Sequence, residues 1–433
     1  MDNKKPDFWS LLPLIIFIIV YLGGSIIIGD FYKIPVHVAF LVAAFFAVVM
    51  NKNSSVNERI KNFTKGMGHP NIMLMCLIFI LAGAFSQLCK DIGAIKVVVD
   101  LGLATLPKSL FIVSLFMIAC CVSLSIGTSV GTINVLTPIA IALSSEANIS
   151  LAMILGAVIS GSMFGDNLSM ISDTTIVASR TQNSKLSDKF KANILIALPA
   201  AIVTILIYIF ISSDISYSQQ TIDIKTIPWI KAIPYLIVLM TAIAGVNVII
   251  VLSLGCCIAV TMGILTNDLT IWSAMQSISK GFENMALLSV LCMIIGGVMQ
   301  LIKLNGGIIF LIQFISKYVK GSKTAELGIA ALVIIVDICT ANNTIAILLT
   351  GDIVKHISNK FNISAARSAS LLDTFSCFAQ GLIPYGAQIL TAVALTGFII
   401  SPIEIMKYQF YTFLLGASAL MFILFKKNRN YLR

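Results

Sequence analysis

The chain has 433 residues, of which 58% are hydrophobic and 11% are charged, and its mean hydropathy is +0.98. No soluble domain of this size needs so many apolar residues to fill its core, so the composition excludes a soluble protein and predicts one that crosses a membrane many times. The formal net charge is +10, but most basic residues fall in short loops between apolar runs. This pattern favours orientation in a bilayer over binding of a nucleic acid.

Eight apolar runs are long enough to be membrane spans, since a span needs about 20 residues to cross about 30 Å of hydrocarbon. In chain order they lie at residues 9–29, 34–50, 71–89, 192–212, 230–246, 248–265, 285–302 and 408–425. The first run ends without a small-residue cleavage site, so we expect a span there and not a signal peptide. Two further regions, 109–180 and 325–400, are apolar but interrupted by Gly, Pro, Asn, Thr and Asp, which predicts re-entrant hairpins and broken helices.

The two halves of the chain resemble each other. Residues 87–95 match residues 300–308, with Gln, Leu, Lys, Gly and Ile in register. Farther along, residues 128–133 lie against 340–345, and residues 162–168 lie against 376–382. Three matches in the same order predict a duplication, with one transmembrane repeat at 1–212, an external linker at 213–228 and a second repeat at 229–433.

Charge predicts the orientation of these repeats. With both termini in the cytoplasm, about 21 basic residues face inwards and about eight face outwards, as the positive-inside rule prefers. The loop around Lys90 is then outside, whereas the matching loop around Lys303 is inside. The predicted inner group includes Lys52, Arg59, Lys61, Lys65, Arg180, Lys185, Lys189, Lys191, Lys303, Lys317, Lys320, Lys323, Lys355, Lys360, Arg367, Lys426, Lys427, Arg429 and Arg433.

Each repeat must therefore contain an odd number of spans, about five, and the two repeats are inverted. The expected fold is all-α and polytopic. Inverted repeats with matched interruptions are typical of secondary transporters, whose substrates bind where broken helices meet.

Residues 160–175 carry two carboxylates, Asp166 and Asp173, inside an interrupted apolar region. An ionised carboxylate at membrane depth costs several kcal/mol unless it is paired or hydrated, so both aspartates are candidates for an ion pathway, together with Asn167. A salt bridge or a helix cap is the structural alternative, and Asp173 suits a cap because Thr174 and Thr175 follow it.

The segment 127–132 interrupts another apolar stretch. It is interpreted as a hairpin tip at which Thr128 and Ser129 offer oxygen ligands to a cation. The alternative is a helix-packing groove formed by Gly127 and Gly131. Alignment with the polar segment 340–344 favours the hairpin tip, and it adds Asn342, Asn343 and Thr344 as candidate ligands.

The second half carries Asp373, and Gln380 takes the position that Asp166 has in the first half. A neutral amide exchanges no proton, so proton exchange should be asymmetric and rest on Asp166 and Asp373. Na+ is expected at these two aspartates. Asp337 precedes the second tip and either supports it or faces its cavity.

The run that starts at Gly161, with Thr-Ala-Asn-Asn-Thr at 340 and Arg-Ser-Ala-Ser-Leu-Leu-Asp-Thr-Phe-Ser-Cys at 367, resembles the NhaC-type Na+/H+ antiporter family. The resemblance covers both repeats. It implies a secondary carrier of a bacterial inner membrane that exchanges Na+ for H+. The family also contains members that resemble exchangers of organic acids or carriers of amino acids, so a carrier of a small organic solute is the alternative.

The partners expected are therefore the lipid bilayer, Na+ and H+, with an organic solute under the alternative function and a homodimer left open. No cofactor is expected beyond the transported ions. The sequence offers neither a histidine-rich metal cluster nor a nucleophile with a plausible base, which argues against a membrane enzyme.

Overall fold

A computed structural model describes residues 6–24, 27, 34–50, 54–105, 110–170, 172–213, 227–244, 246–316 and 321–425. Throughout these residues the regular structure is helical and no strand occurs. The first helices are α1 (Leu12–Ile18), α2 (Val36–Met50), α3 (Val56–Met67), α4 (Pro70–Asp91) and α5 (Ala94–Thr105). Short 3-10 and π segments, Phe8–Leu11 and Ile19–Gly23, flank α1.

The middle of the chain forms α6 (Phe111–Ile126), α7 (Ser129–Ala147), α8 (Leu151–Leu168), α9 (Asp173–Gln182), α10 (Leu186–Ser213), α11 (Ile233–Ile243), α12 (Val248–Leu265) and α13 (Ile271–Leu304). The last part forms α14 (Gly307–Ser316), α15 (Ser322–Thr340), α16 (Asn343–Lys360), α17 (Ala365–Leu382), α18 (Ala387–Leu395), α19 (Pro402–Met406) and α20 (Phe410–Phe425).

By length and composition, seven of the described helical stretches are long and apolar enough to cross a membrane. They lie at Ile72–Asp91, Ser129–Ala147, Leu151–Gln182, Leu186–Ser212, Val248–Leu265, Ile271–Leu304 and Ala365–Leu395. Five shorter apolar helices accompany them. The prediction of an all-helical, multi-pass membrane protein is confirmed.

One predicted segment and one predicted loop residue differ from the structure in ways that the local sequence explains. The predicted span 285–302 is the end of the much longer α13, which starts at Ile271 because Thr270 and Ser273 form a reciprocal capping box. Arg59, expected in an inner loop, lies in the amphipathic helix α3 and is 8% exposed. Its guanidinium donates to the carbonyl oxygens of Val48 and Val49, at 2.6 and 2.8 Å, and so caps the C-terminus of α2.

Helix boundaries in the two halves match at one constant offset. α8 spans Leu151–Leu168 and α17 spans Ala365–Leu382, an offset of 214 residues (365 − 151 = 214). The same offset relates the first residues of α7 and α16, and those of α9 and α18. The interrupted segments of the two halves therefore have the same pattern of helix starts and stops.

The same register corrects the sequence alignment of the two tips. Gly127 and Ala341 each end a helix in the left-handed conformation, with φ of +75° and +49°, and each precedes a capping residue. Thr128 accordingly matches Asn342, whereas the sequence alignment paired Thr128 with Thr340. The alignment was wrong by two residues because the chance identities of Thr and Ile outweighed the pattern of caps.

Helices of the two halves also pack on one another in a reciprocal way. α4 packs on α13, and α10 packs on α20. The segment after each break crosses to the other half, since α9 packs on α16 and α18 packs on α7. This reciprocity supports a duplication, while the opposite orientation of the repeats stays a prediction. Much of the proposed linker, 214–226, lies outside the described residues, as do Lys52, Lys317, Lys320, Lys426, Lys427, Arg429 and Arg433.

Two glycines set the contact between α6 and α8. A Cβ atom on Gly161 would lie 2.4 Å from the carbonyl oxygen of Phe116, and one on Gly165 would lie 2.3 Å from the Cβ of Ser123. Small residues at this spacing let helix backbones approach closely in a membrane. The last turn of α8, with Asp166, is therefore held directly against the end of α6.

Labelling of single cysteines tests the inverted orientation. Lys90 and Lys323 are both exposed, near the end of α4 and at the start of α15. In a background without the nine native cysteines, we expect Lys90→Cys to react with a membrane-impermeant maleimide from outside only, and Lys323→Cys from inside only. Reaction of both positions from the same side would contradict inverted repeats.

Candidate ion-binding site

The carboxylate of Asp166 lies in the last turn of α8 and is 4% exposed. It accepts two hydrogen bonds from hydroxyl groups, one from Ser129 Oγ at 2.8 Å and one from Ser172 Oγ at 2.6 Å. Within the described part of the chain, no basic side chain forms an ion pair with it. Asp166 is therefore a buried carboxylate with polar partners and, among the described residues, no counter-charge.

Both hydroxyl groups come from places where a helix begins. Ser129 is the first residue of α7, after Gly127 has turned the chain and the Thr128 side chain has capped the new helix. Ser172 is the N-cap position of α9, after the break that ends α8. Helix N-termini carry partial positive charge, so two of them next to Asp166 favour a negative group at this point.

A second buried cluster surrounds Asp373, which is completely buried in α17. Lys189 of α10 forms a salt bridge with Asp373 Oδ2, and the side-chain amides of Asn193 and Asn167 donate to the same oxygen at 2.9 and 3.1 Å. Lys189 also donates to the carbonyl oxygen of Asn167, at 2.7 Å. Because Asn167 follows Asp166 directly, the two clusters adjoin.

Lys189 corrects an expectation from the sequence. We predicted it among the basic residues on the inner side of the membrane, most of which fall in short loops, but its side chain is 1% exposed. Its ammonium group is enclosed by Asp373, the Asn167 carbonyl and the Thr175 hydroxyl, which accepts a hydrogen bond at 2.6 Å. Lys189 thus compensates a carboxylate inside the protein, and it does not line the cavity beside the second tip.

A chain of hydrogen bonds joins Asp166 to the second hairpin tip. Ser129, which donates to Asp166, accepts from Gln388 Nε2 at 3.1 Å. Gln380 Nε2 donates to Gln388 Oε1 at 2.7 Å and to the carbonyl oxygen of Ala341 at 3.3 Å. Gln388 therefore bridges the two halves, and Gln380, predicted as the counterpart of Asp166, connects Gln388 to the second tip.

Two of the polar side chains at the second tip accept hydrogen bonds from backbone amides. Asn342 caps α16 by accepting from the Ile345 amide at 2.9 Å, and Asn343 Oδ1 accepts from the Thr344 amide at 3.0 Å. Asn343 Nδ2 is buried and has no hydrogen-bond partner in the described structure. Thr344 is half-buried. These three candidate ligands lie at one tip, apart from the hydroxyl groups around Asp166.

A cavity with about 90 Å³ of water-accessible volume lies beside the second tip. Thr340, Ala341 and Asn342 line one wall, and exposed His69 and Lys303 lie at another part of its lining. The cavity therefore runs between the surface and the backbone turn that Gln380 contacts.

The structure brings together only some of the predicted site residues. Asp166, Ser129, Asn167, Asp373 and Gln380 belong to the connected buried network. Thr128 caps α7 and is half-buried, whereas Asp173 is exposed at the first position of α9. Whether any of these residues binds a cation stays a prediction.

Sequence reasoning missed four members of the network: Lys189, Asn193, Ser172 and Gln388. For two of them a signal was available, because Lys189 and Asn193 are four residues apart and so share one face of a helix. Asn193 also follows the charged start of an otherwise apolar run. Ser172 and Gln388 gave no such signal, because hydroxyl and amide groups are common at helix starts.

Comparison with known proteins gives the class of this chain. Residues 8–212 match the model of the Na+/H+ antiporter family. The chain is 24% identical to the Na(+)/H(+) antiporter NhaC of Bacillus subtilis, with 98% of this chain and 99% of that protein covered. It is 22% identical to NhaC of Alkalihalophilus pseudofirmus, over 98% and 96% of the two chains.

A third relative is the malate-2H(+)/Na(+)-lactate antiporter of Bacillus subtilis, 25% identical over 52% of this chain and 47% of that protein. The match thus spans about half of that relative.

A multi-pass helical bundle with broken helices and a buried carboxylate, related to antiporters over almost its full length, is a secondary membrane transporter of the antiporter class. The chain is similar to the Na+/H+ antiporter family over residues 8–212 and to two NhaC antiporters over almost its full length, in agreement with the resemblance to NhaC-type proteins noted in its sequence.

Removal of the Lys189 ammonium tests the buried ion pair. Lys189→Met leaves Asp373 uncompensated, so we expect a loss of about 3–5 kcal/mol of folding stability, the usual cost of breaking a buried pair from one side. The measurement is thermal unfolding in detergent.

Lys191→Met is the matched control, because Lys191 is exposed on the same helix. The double variant Lys189→Met with Asp373→Asn should lose less stability than the sum of the two single changes. Additive losses, or a Lys189→Met protein as stable as the Lys191→Met control, would show that the pair contributes nothing.

Proposed function

We propose that this protein exchanges Na+ for protons across a bacterial inner membrane and that Asp166 is the carboxylate at which the two ions compete. The observation that carries the proposal is the environment of Asp166. It is a buried carboxylate held by two hydroxyl groups and not by a cationic side chain. A proton or a monovalent cation can therefore supply the missing positive charge.

Competition at one carboxylate is enough to couple opposite fluxes. When Asp166 binds Na+ it must release its proton, and when it is protonated it holds no cation. Exposure of the site to each side in turn then moves the two ions in opposite directions. Hydroxyl and carbonyl oxygens at the helix breaks are neutral ligands that suit a weakly bound monovalent ion.

Asp373 has a different part in this mechanism. Lys189 already neutralises it, so a cation at Asp373 would have to displace an ammonium group that makes three polar contacts. We assign to the Lys189–Asp373 pair the task of holding Asn167, and hence the end of α8, in position. Asp373→Asn should accordingly reduce exchange without abolishing it.

The alternative of an organic-anion carrier would be favoured by a basic side chain free to meet a substrate. Lys189 is not free to do so, because it is buried and pairs with Asp373. Lys303 lies at an exposed part of the cavity lining.

The proposed orientation, with both termini in the cytoplasm, follows from the positive-inside distribution of basic residues.

The competition model predicts that the apparent Na+ affinity depends on pH and that Asp166→Asn loses Na+-driven proton flux. In acid-loaded proteoliposomes, Na+ alone should drive alkalinisation of the lumen. The apparent Na+ affinity should weaken as pH falls, approaching tenfold per pH unit, because one proton competes with one cation. Asp166→Asn keeps the size of the side chain but exchanges no proton, and it should abolish the flux.

The control is Asp352→Asn, since Asp352 is an exposed carboxylate on α16. Wild-type flux in Asp166→Asn would remove Asp166 from the mechanism. Uptake of an amino acid or organic acid, with no Na+-dependent proton movement in its absence, would transfer the assignment to a solute carrier.

A further inference from the structure

A third buried carboxylate, Asp337, lies outside the network around Asp166. It is completely buried in α15, one turn before the second tip, where its own carbonyl oxygen accepts from the Ala341 amide at 2.7 Å. Neither Oδ1 nor Oδ2 has a hydrogen-bond partner in the described part of the structure. An ionised carboxylate in this position would be uncompensated, at a cost of several kcal/mol.

The other two buried aspartates show what Asp337 lacks. Asp166 has two hydroxyl donors beside two helix N-termini, and Asp373 has an ammonium and two amide donors. Asp337 instead lies in the last turn of α15, where the helix dipole opposes a negative charge. Its surroundings favour a form that carries a proton.

The register between the halves indicates what that proton would do. Asp337 matches Ser123 at the offset of 214, since the carbonyl oxygen of each accepts from the left-handed residue that ends its helix. Ser123 Oγ donates to the carbonyl oxygen of Ser162 at 2.6 Å and so ties α6 to α8. A carboxylic acid can donate in the same way between α15 and α17, whereas a carboxylate cannot.

The cavity beside the second tip reaches the residues next to Asp337, although Asp337 itself does not line it. Tyr385 donates to the carbonyl oxygen of Ile338, next to Asp337, at 2.7 Å, and both Tyr385 and Cys339 line the cavity beside the second tip. From the carbonyl oxygen of Ala341, the Gln380–Gln388 chain leads to Ser129 and Asp166.

Among the described residues, the groups that surround Asp337 form no ion pair with it. Tyr385 and Cys339 lie close enough to Asp337 to interact with it electrostatically. Among the helices packed on α15, α17 carries Asp373, which is held by Lys189, and Arg367, which pairs with Glu326 of α15 itself. The remaining charged or titratable groups in described parts of the packed helices are Cys292, Lys280, Glu283 and Lys303 on α13, Asp352, Lys355, His356 and Lys360 on α16, Cys377 on α17, and Tyr411 on α20.

We propose that Asp337 is a second proton-binding site, which exchanges its proton with the cavity beside the second tip during each transport cycle. The proton passes between water in the cavity and a carboxylate oxygen, and no other bond changes. The transport part of this inference rests on the proposed function, whereas proton binding by Asp337 does not.

Infrared difference spectroscopy of the full chain tests proton binding directly. In the wild type we expect the carbonyl-stretch band of a buried carboxylic acid that disappears as pH is raised. The band should be absent from Asp337→Ser, which installs the residue of the matching position, and should persist in Asp166→Asn. Asp337→Asn replaces the serine variant if the latter does not fold.

The transport readout is the number of protons moved per Na+, measured from reversal potentials in proteoliposomes. It should fall by one in Asp337→Ser and stay at the wild-type value in Asp352→Ser, while Asp166→Asn shows no exchange. A failure of Asp166→Asn to stop exchange counts against the proposed function and leaves the infrared result intact.

Four results would overturn the inference. A carboxylic acid band of Asp337 that persists at every pH would make it a permanent structural acid, and no band at any pH would make it a permanent carboxylate. Loss of the band on addition of Na+ to Asp166→Asn would make it an alkali-cation site. An unchanged proton count in Asp337→Ser would exclude it from the transport cycle.

Discussion

A helix that stops inside a membrane leaves amide and carbonyl groups without water, and this constraint shapes the whole site. Each interrupted segment meets it in the same way. The chain turns in a left-handed residue, Gly127 or Ala341, and the next side chain, Thr128 or Asn342, caps the new helix. The residues that surround Asp166 are there because helices end and begin at that depth.

The same framework carries different charges in its two halves. Where the first half has Asp166, the second has Gln380, and where the first half has Ser123, the second has Asp337. Lys189 adds a cation that the second half does not repeat at a matched buried position among the described residues. The two halves therefore share a backbone pattern but differ in their charged side chains. Their buried carboxylates also differ in how much of their negative charge is balanced by neighbouring groups.

The fold could be predicted from the sequence because its main signal is hydrophobic length. Continuous apolar runs of about 20 residues have few alternatives to membrane spans, and polar interruptions at membrane depth predict breaks. The runs at 248–265 and 408–425 accordingly match α12 and α20 to within two residues.

The candidate site was less predictable, because burial and partnership depend on which helices meet. Lys189 has the sequence context of a loop residue, yet α10 begins before it and carries it into the core opposite Asp373. The register of the second tip was equally hidden, since it follows from backbone caps and not from side-chain identity. The sequence shows an aspartate in the same way whether the folded protein places hydroxyl groups, an ammonium group or no polar partner beside its carboxylate.

Ala341 gives the two turns unequal mechanical character. Its left-handed backbone, natural for Gly127 in the other turn, costs a residue with a Cβ atom roughly 1 kcal/mol, which is about a fivefold change in an equilibrium constant. The turn beside the cavity is therefore under more backbone strain than its counterpart at Gly127. On this ground the turn at Ala341 is expected to change conformation more readily than the turn at Gly127.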